Sequence, residues 1–307
     1  MFRPVSSVPA PSAVRQHPRT SRRLSTGSRI ALSAALLAGL PLDAAFADDD
    51  RFFEWTSNTL GFRYGQQFTN PNNPDKFAKR IYSFSHADGY RYGSNFFHLD
   101  VFLSDSRDPR KGTDHGGSEV YAVYRHQLYA SRVFDVPLGK GLVKDHALTF
   151  GFDASRNNNL ASAKKRALVI GPTVKFNGAG VLDLSLMYYR EKNHFGVPGA
   201  KHPDHTFDGT YMLNLTWLKP FQLGERMAKF QGFLNHVGEK GEDYNDKDTA
   251  AETLVRTSLM VAALPGAKRQ PNLWLGVGYE YWHNKFGVDG GTGSRTSTPT
   301  VNLEVSF

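Results

Sequence analysis

Hydrophobic and polar residues alternate along most of the chain, most regularly near its C-terminal end. Between residues 300 and 307 every second position is Val, Leu or Phe, and the positions between them are Thr, Asn, Glu and Ser. A period of two is that of a β-strand with one apolar and one polar face. The same alternation recurs in 182–189, 210–217 and 273–282, and no segment sustains a helical period. The pattern predicts an all-β fold.

Twelve segments of this kind follow one another. Most are about ten residues long, the length of a tilted strand that crosses a bilayer. We therefore predict a transmembrane antiparallel β-barrel of about twelve strands. The segments lie at 58–67, 80–87, 93–104, 118–130, 144–156, 165–177, 180–191, 208–219, 227–238, 251–263, 271–284 and 297–307.

The connections between these segments are unequal. Most of those that follow odd-numbered strands are long and polar, as in 105–117, 192–207 and 239–250, whereas most of the others are short and 131–143 is an exception. Long loops on one rim and short turns on the other are typical of outer-membrane barrels. Aromatic residues crowd the strand ends, as interfacial girdles require: Tyr188-Tyr189, Trp217, Phe221, Tyr279 and Tyr281-Trp282.

A soluble β-sandwich is the main structural alternative. Its strands also alternate, but they average five or six residues and turn a polar face outward. Here one face of nearly every segment carries Leu, Val, Phe, Tyr or Trp. A barrel with an apolar exterior and a polar, watery lumen fits this pattern better.

Charge is concentrated at the N-terminus. The 307 residues carry a net charge of +8, of which +5 lies in residues 1–47 and only +3 in the remainder. Arg22, Arg23 and Arg29 precede an apolar run at 30–42, and Ala45-Phe46-Ala47 has the form of a cleavage site. We predict a signal peptide at 1–47, with general secretion favoured over a twin-arginine route, and one barrel domain at 48–307. No basic run remains that would bind a nucleic acid polymer.

Catalytic and metal-binding signatures are sparse. The chain has no Cys, no phosphate-binding loop, no nucleophile elbow and no H-x-S at any of its 11 His, the pairing that outer-membrane phospholipases need. We predict no enzyme, no cofactor and no metal, although a Ser–His pair formed across two strands stays open. His194, His202 and His205 share one loop with Asp204, and exposed loop histidines are preferred there over metal ligands.

The predicted lumen face carries both signs of charge. Strand parity directs five cationic and five anionic residues inward: Arg63, Arg125, Lys175, Lys229, Arg256, Asp100, Glu119, Asp153, Asp183 and Glu280. On the same face lie Phe96, Phe102, Tyr121, Tyr189, Phe233, Trp274 and Trp282. An ion-selective pore would have a ring of one sign. Aromatic faces beside balanced hydrogen-bonding groups favour a neutral, planar, hydroxyl-rich solute. The structural alternative is that inward charges pair only to fill the lumen.

Several short stretches make the sequence similar to the nucleoside-specific channel-forming porins of Gram-negative outer membranes, the Tsx-like family. They are Glu54–Asn58 with Arg63-Tyr64-Gly65, Val181–Tyr189 with Phe195-Gly196, Phe207–Tyr211, Gly232–Asn235 and Glu280–His283. The match spans most of 50–307, is best in the second half and is weak in strands two to four and in the loops. No single stretch is specific, and the case depends on their order and spacing.

The resemblance implies a monomeric twelve-stranded channel in the outer membrane that binds nucleosides and deoxynucleosides without a cofactor. In some members the extracellular loops also serve as receptors for phages and bacteriocins. The residues that best match the family's stretches are Arg63, Asp208, Tyr211, Asn235, Glu280 and Trp282, of which Tyr211 faces lipid by parity. Combining parity with the resemblance, we predict substrate contacts in the lumen from Arg63, Phe96, His98, Asp100, Glu119, Tyr121, Arg125, Asp208, Lys229, Asn235, Arg256, Glu280 and Trp282.

Two other functions use the same barrel. One is a general or other small-solute porin without nucleoside selectivity. The other is a barrel without specific transport, which serves as an adhesin or surface receptor through its long loops. A general porin would differ from a nucleoside channel in showing unsaturable flux. A surface receptor would keep its function when residues of the lumen are mutated.

Overall fold

Twelve antiparallel strands close into a barrel in the computed structural model, which describes residues 52–264 and 272–307. The predicted signal peptide at 1–47 lies outside the described residues. The strands are β1 (Phe53–Phe68), β2 (Phe77–Tyr90), β3 (Gly93–Ser104), β4 (Ser118–Tyr129), β5 (Val143–Asn157), β6 (Lys164–Phe176), β7 (Val181–His194), β9 (Thr210–Leu223), β10 (Arg226–Val237), β11 (Glu252–Ala262), β12 (Leu273–His283) and β13 (Thr296–Ser306). The predicted all-β barrel is confirmed.

The sheet closes through β1, which pairs with β13 from Thr59↔Ser306 to Tyr64↔Val301. Every other barrel strand pairs with its neighbours along the chain, and β6 pairs with β7. A short additional strand, β8 (Asp204–Thr206), pairs with the end of β7 and was not expected from the sequence. A one-turn helix, α1 (Ala130–Val133), begins the long connection after β4, and a 3₁₀ turn at Lys285–Gly287 follows β12. No helix in 52–264 or 272–307 is long and apolar enough to cross a membrane.

The register of the strands keeps the period of two almost intact. Register shifts occur only near the ends of β1, between Phe53 and Trp55 and between Gly65 and Phe68, and at the start of β5. Because no bulge interrupts the middle of a strand, side chains keep the same face along its length. Inward side chains are thus mostly those that parity predicts.

The outward face is apolar and exposed. Its exposed side chains include Leu60, Tyr82, Val120, Leu148, Leu168, Ile170, Leu184, Leu186, Tyr188, Leu275, Val277 and Val301. An exterior of this kind around a closed sheet is that of a barrel that spans a membrane, since it satisfies its backbone internally and offers hydrocarbon to lipid. Of the aromatics expected at the interfaces, Tyr189 and Trp282 instead point inward.

The two rims differ as predicted. The long-loop rim consists of the connections 69–76, 105–117, 158–163, 195–209, 238–251 and 284–295. The opposite, short-turn rim carries the two-residue turns 91–92 and 224–225, the turn 177–180 and the longer connection 130–142. Hydrogen bonds join neighbouring long loops, as where His202 N donates to Tyr244 O and Asn72 N donates to Thr292 O. The loops of the long-loop rim are therefore joined to one another by hydrogen bonds.

Candidate functional site: the charged lumen of the barrel

A four-residue ion-pair network crosses the middle of the lumen. The Nη2 of Arg63 on β1 and the Nη1 of Arg256 on β11 lie 3.0 and 3.1 Å from the same oxygen of Asp100 on β3. Arg256 also donates to Glu280 Oε2 on β12, through Nε at 3.0 Å and Nη2 at 2.9 Å. Four strands separate β3 from β11 in the sheet. The contact between Arg256 and Asp100 therefore crosses the interior of the barrel and does not join neighbouring strands.

Other inward charges pair on adjacent strands. Arg125 Nη2 lies 2.7 Å from Asp153, which also accepts from the Tyr121 hydroxyl at 2.9 Å. Towards the short-turn rim Lys175 pairs with Asp183 at 2.6 Å. These pairs support the structural interpretation of many lumen charges, because a buried charge without a partner is costly.

Lys229 and Trp282 show how the lumen ties charged and aromatic side chains together. Lys229 lies 2.6 Å from Glu304, and its ammonium stands 4.7 Å from the centre of the Trp274 ring. The indole of Trp282 donates to Glu252 at 3.2 Å. Both predicted contact residues are thus engaged within the protein, so a solute would meet them as members of a network.

Phe96 is the most exposed of the aromatics that the predicted strands direct inward, with 41% of its surface accessible. Its ring is stacked on that of His98, two residues along β3, at a centroid distance of 6.2 Å and an interplanar angle of 9°. In contrast, lysine ammonium groups stand over Phe102, Trp274 and Tyr189 at 5.1, 4.7 and 5.6 Å. Among these aromatics, Phe96 is the best placed to receive a flat ligand.

His98 also links a serine to the central network. Its Nδ1 is hydrogen-bonded to Ser85 Oγ at 2.7 Å, and its Nε2 lies 3.1 Å from Asp100 Oδ1 without hydrogen-bond alignment. A Ser–His–Asp series is the composition of a nucleophilic triad. The carboxylate is misaligned with the imidazole and shared with two arginines, and the strand backbone here is paired in the sheet ladder. We interpret Ser85, His98 and Asp100 as a row of hydrogen-bonding groups on the lumen wall beside Phe96.

Asn235 and Glu119 are the remaining predicted lumen residues on the strands. Asn235 on β10 accepts a hydrogen bond from Asn214 on β9 at 2.6 Å, which places two amides on one patch of the wall. Glu119 lies on the inward face of β4, opposite Phe102. Both are partly exposed, so they offer hydrogen-bonding groups to the lumen.

Asp208, a predicted substrate contact, lies outside the strands of the barrel. Strand β9 begins at Thr210, and Asp208 is an exposed residue of the preceding loop, where its backbone N–H donates to Lys240 O at 2.9 Å. The predicted strand began at 208 because the period of two was extended two residues before the observed start of β9. Tyr211 faces outward, as parity indicated, and is 48% exposed.

The sequence pattern missed a second charged cluster, beneath the long-loop rim. Glu191 at the end of β7 pairs with Lys165 at 3.3 Å and with Lys240 at 3.1 Å, and it accepts from the Tyr189 hydroxyl at 2.5 Å. Lys240 belongs to the loop 238–251 and is almost fully buried. Lys165 and Glu191 have inward parity, so the alternation in the sequence could have identified them. Lys240 lies in a loop that folds back into the barrel, and such a loop has no periodic pattern.

Two lysines near this rim are held by aromatic rings. Lys79 on β2 is enclosed by Phe68, Phe77 and Phe102, with its ammonium 5.1–5.5 Å from the ring centres. Lys285, in the connection after β12, donates to Thr69 O at 2.7 Å and stands 4.8 Å from the Trp282 ring. Burial, together with the nearby Lys79 charge, lowers the pKa of Lys285 to about 7. The charge of this mouth therefore changes near neutral pH.

The loop histidines do not converge. His194 Nδ1 bonds to Asp204 at 2.8 Å, His202 lies 3.0 Å from Asp246, and His205 bonds to the Glu242 carbonyl at 2.8 Å. Throughout 52–264 and 272–307 no group of three or more His, Asp or Glu is arranged to hold a metal ion.

Comparisons with known proteins find likenesses of structure. No protein-family model and no curated protein sequence matches the chain. The translocator domain of the autotransporter NalP from Neisseria meningitidis is similar in structure, with a TM-score of 0.44 and 12% identity over 85% of this chain and 90% of that one. The NanC porin gives 0.43 and 11% over 81% and 98%. The KdgM porin, solved in complex with disordered oligogalacturonate, gives 0.38 and 14% over 81% and 99%.

At these identities the likeness concerns the barrel fold and assigns no substrate to this chain. The resemblance to nucleoside channels accordingly rests on the sequence stretches alone.

Proposed function

We propose that the chain is an outer-membrane channel for the passive uptake of small polar solutes, with nucleosides and deoxynucleosides as its substrates. The observation that carries the proposal is the exposed Phe96 ring beside the hydrogen-bonded His98 and Ser85, on the wall of a lumen whose charges are largely paired. A nucleobase stacked on an aromatic ring gains about 1–3 kcal/mol, and imidazole and hydroxyl groups bond to base edges or ribose hydroxyls.

Charge pairing supports a neutral solute. Asp100, Asp153 and Glu191 each have a cationic partner within 3.3 Å, so these carboxylates present no uncompensated negative ring. Selection by ion sign needs such a ring. A solute without net charge meets no net electrostatic barrier from these paired charges.

The outer-membrane location is supported by the apolar exterior and the unequal rims. Long loops face the outside and short turns the periplasm in barrels of this type. The N-terminal end of β1 and the C-terminal end of β13 both lie on the short-turn rim. The long-loop mouth near Lys79 and Lys285 is then the entrance for external solutes.

A general small-solute porin uses the same wall and is the second candidate, favoured by the mixture of partly exposed amides and hydroxyls such as Asn214 and Thr216. Planar-bilayer recording separates the two. A nucleoside channel shows single-channel current that adenosine or thymidine blocks in a saturable manner, whereas glucose does not block it. Current indifferent to nucleosides would remove the nucleoside assignment and leave a general pore or a surface receptor.

A further inference from the structure

A dense group of basic side chains lies on the outside of the barrel, at the long-loop ends of three adjacent strands. Arg156 on β5, Lys164 and Arg166 on β6, and Arg190 and Lys192 on β7 all face outward and are exposed. We call these five residues the basic exterior patch. Their parity is opposite to that of the inward Asp153, Lys165 and Glu191, so they do not belong to the lumen networks.

The register places like charges directly opposite each other in this patch. Arg156 is paired with Lys164 across β5 and β6, and Arg166 is paired with Lys192 across β6 and β7. Directly opposed side chains have Cβ atoms about 4.5–5.5 Å apart, and like charges at that spacing are destabilising. Two such pairs side by side favour the binding of an anion, which would relieve the repulsion.

The neighbouring carboxylates compensate the patch only in part. Glu191 points inward and pairs with Lys165 and Lys240. Asp204 is hydrogen-bonded to His194 and lies near enough to Lys164 and Lys192 for their charges to help lower its pKa. Within the described ranges, none of the five basic side chains forms an ion pair. One nearby carboxylate for five basic side chains leaves most of this positive charge open to an anion from another molecule.

An apolar surface continues directly from the patch towards the short-turn rim. Leu168 and Ile170 follow on β6, 67% and 49% exposed, and Tyr188 and Leu186 precede Arg190 on β7. A lipid has this same order of chemistry, with a charged headgroup above hydrocarbon chains. Arginine binds phosphate in bidentate fashion, and basic residues near a membrane surface attract anionic lipid headgroups.

We propose that the basic exterior patch binds the phosphate-bearing headgroup of a lipid in the leaflet on the long-loop side, with its acyl chains on the surface around Leu168, Ile170 and Leu186. Free phosphate lacks the chains that this lower surface accommodates. The site is on the lipid-facing wall and is separate from solute passage, so it is independent of the proposed function.

The test measures binding of diphosphorylated lipid A to the purified protein in a non-ionic detergent, compared with dephosphorylated lipid A. The patch variant carries R156Q, K164Q, R166Q, R190Q and K192Q. A matched variant removes five exposed positive charges elsewhere, through R80Q, R91Q, K140Q, K144Q and K219Q. We expect the patch variant to bind lipid A at least about tenfold more weakly than either the wild type or the matched variant.

Dephosphorylated lipid A should bind the wild type as weakly as lipid A binds the patch variant. The milder variant R166Q/K192Q, which removes one like-charge pair, should show an intermediate loss if the full variant does not fold. Equal lipid A binding by the wild type and R166Q/K192Q, undiminished binding of the dephosphorylated lipid, or displacement by inorganic phosphate would each overturn the proposal. Nucleoside block in bilayers should be unaltered in the patch variants, which separates this result from the test of transport.

Discussion

Asp100 on β3 and Arg256 on β11 lie 3.1 Å apart across the interior of the barrel, although four strands separate them in the sheet. The same carboxylate oxygen receives Arg63 from β1 at 3.0 Å. One buried acid therefore holds two basic residues from distant parts of the wall. This contact limits the open cross-section of the lumen at that level.

Replacement of Asp100 by Asn should open and loosen the barrel. Arg63 and Arg256 lose their shared counter-charge, and breaking a buried pair from one side typically costs about 3–5 kcal/mol. We expect lower resistance to urea, higher single-channel conductance and a shift towards anion selectivity. D183N, which breaks the adjacent-strand pair with Lys175, is the control and should leave conductance nearly unchanged. Equal conductance in wild type and D100N would contradict the constriction.

Replacement of Phe96 by Ala should weaken nucleoside block without disrupting the fold. The ring is an exposed stacking surface on the lumen wall, so its loss should cost about 1–3 kcal/mol of nucleoside binding. The measurement is the concentration of adenosine that gives half-maximal block. W274A removes an inward aromatic that Lys229 already covers, and it should leave that concentration unaltered. A similar effect of both variants would point to general distortion of the pore.

Replacement of Asp208 by Asn should have no effect on nucleoside block. The residue is exposed in a loop of the long-loop rim and does not line the strands of the lumen. The expected half-maximal blocking concentration is that of the wild type, measured in the same bilayers. A clear loss of block would mean that solutes bind at the rim before they enter.

Stability should depend on pH through Lys285. Its pKa is about 7 in the folded barrel and near 10.5 when unfolded, so the unfolded state binds the proton more tightly. The stabilisation that the neutral amine permits is complete above pH 10.5 and is lost as the pH falls towards 7, by roughly 3–5 kcal/mol. Besides Lys79, the charged groups that face the ammonium are Glu280, Glu119 and Asp108.

The K285M variant should therefore gain resistance to urea relative to wild type at pH 6, and gain less at pH 10. Unfolding followed by tryptophan fluorescence at the two pH values measures this difference. K140M, on the exposed short-turn rim, is the control and should show no such difference. A pH profile that is identical in wild type and K285M would exclude Lys285 as its source.

Ester hydrolysis tests the Ser85–His98 hydrogen bond. We expect no hydrolysis of p-nitrophenyl acetate that depends on Ser85, since Asp100 is misaligned with the imidazole and neutralised by two arginines. Wild type and S85A should therefore give the same rate. A rate that falls in S85A and H98Q, while nucleoside block persists, would assign a hydrolytic activity to the lumen.

Periodicity predicted the barrel and the face of each strand because both depend on local alternation. Phe96 and Arg256 face the lumen as parity requires, and the absence of mid-strand bulges explains why. Lys79 was missed because the predicted second strand began at 80, three residues after the observed start of β2 at Phe77. Glu304 had the correct parity and was left out of the set of inward charges.

Contacts across the lumen are beyond the reach of the sequence pattern. Parity places Asp100 and Arg256 on the inner face, but which residues meet there depends on barrel diameter and strand stagger. The inward fold of Lys240 depends on the path of an irregular loop, and such a path leaves no periodic trace. The sequence thus predicts which residues line the lumen. The three-dimensional packing determines which of them meet across it, as Asp100 and Arg256 do.

The pairing of β1 with β13, which closes the barrel, sets the order in which the barrel can assemble. Thr59 and Ser306 are paired although they are 247 positions apart. A loop of that length is entropically costly to close, and closure is possible only after the last strand has been synthesised. Until then the free edges of β1 and of the growing sheet are open to pairing with other chains. An assembling barrel of this kind therefore needs its open strand edges protected until β13 pairs with β1.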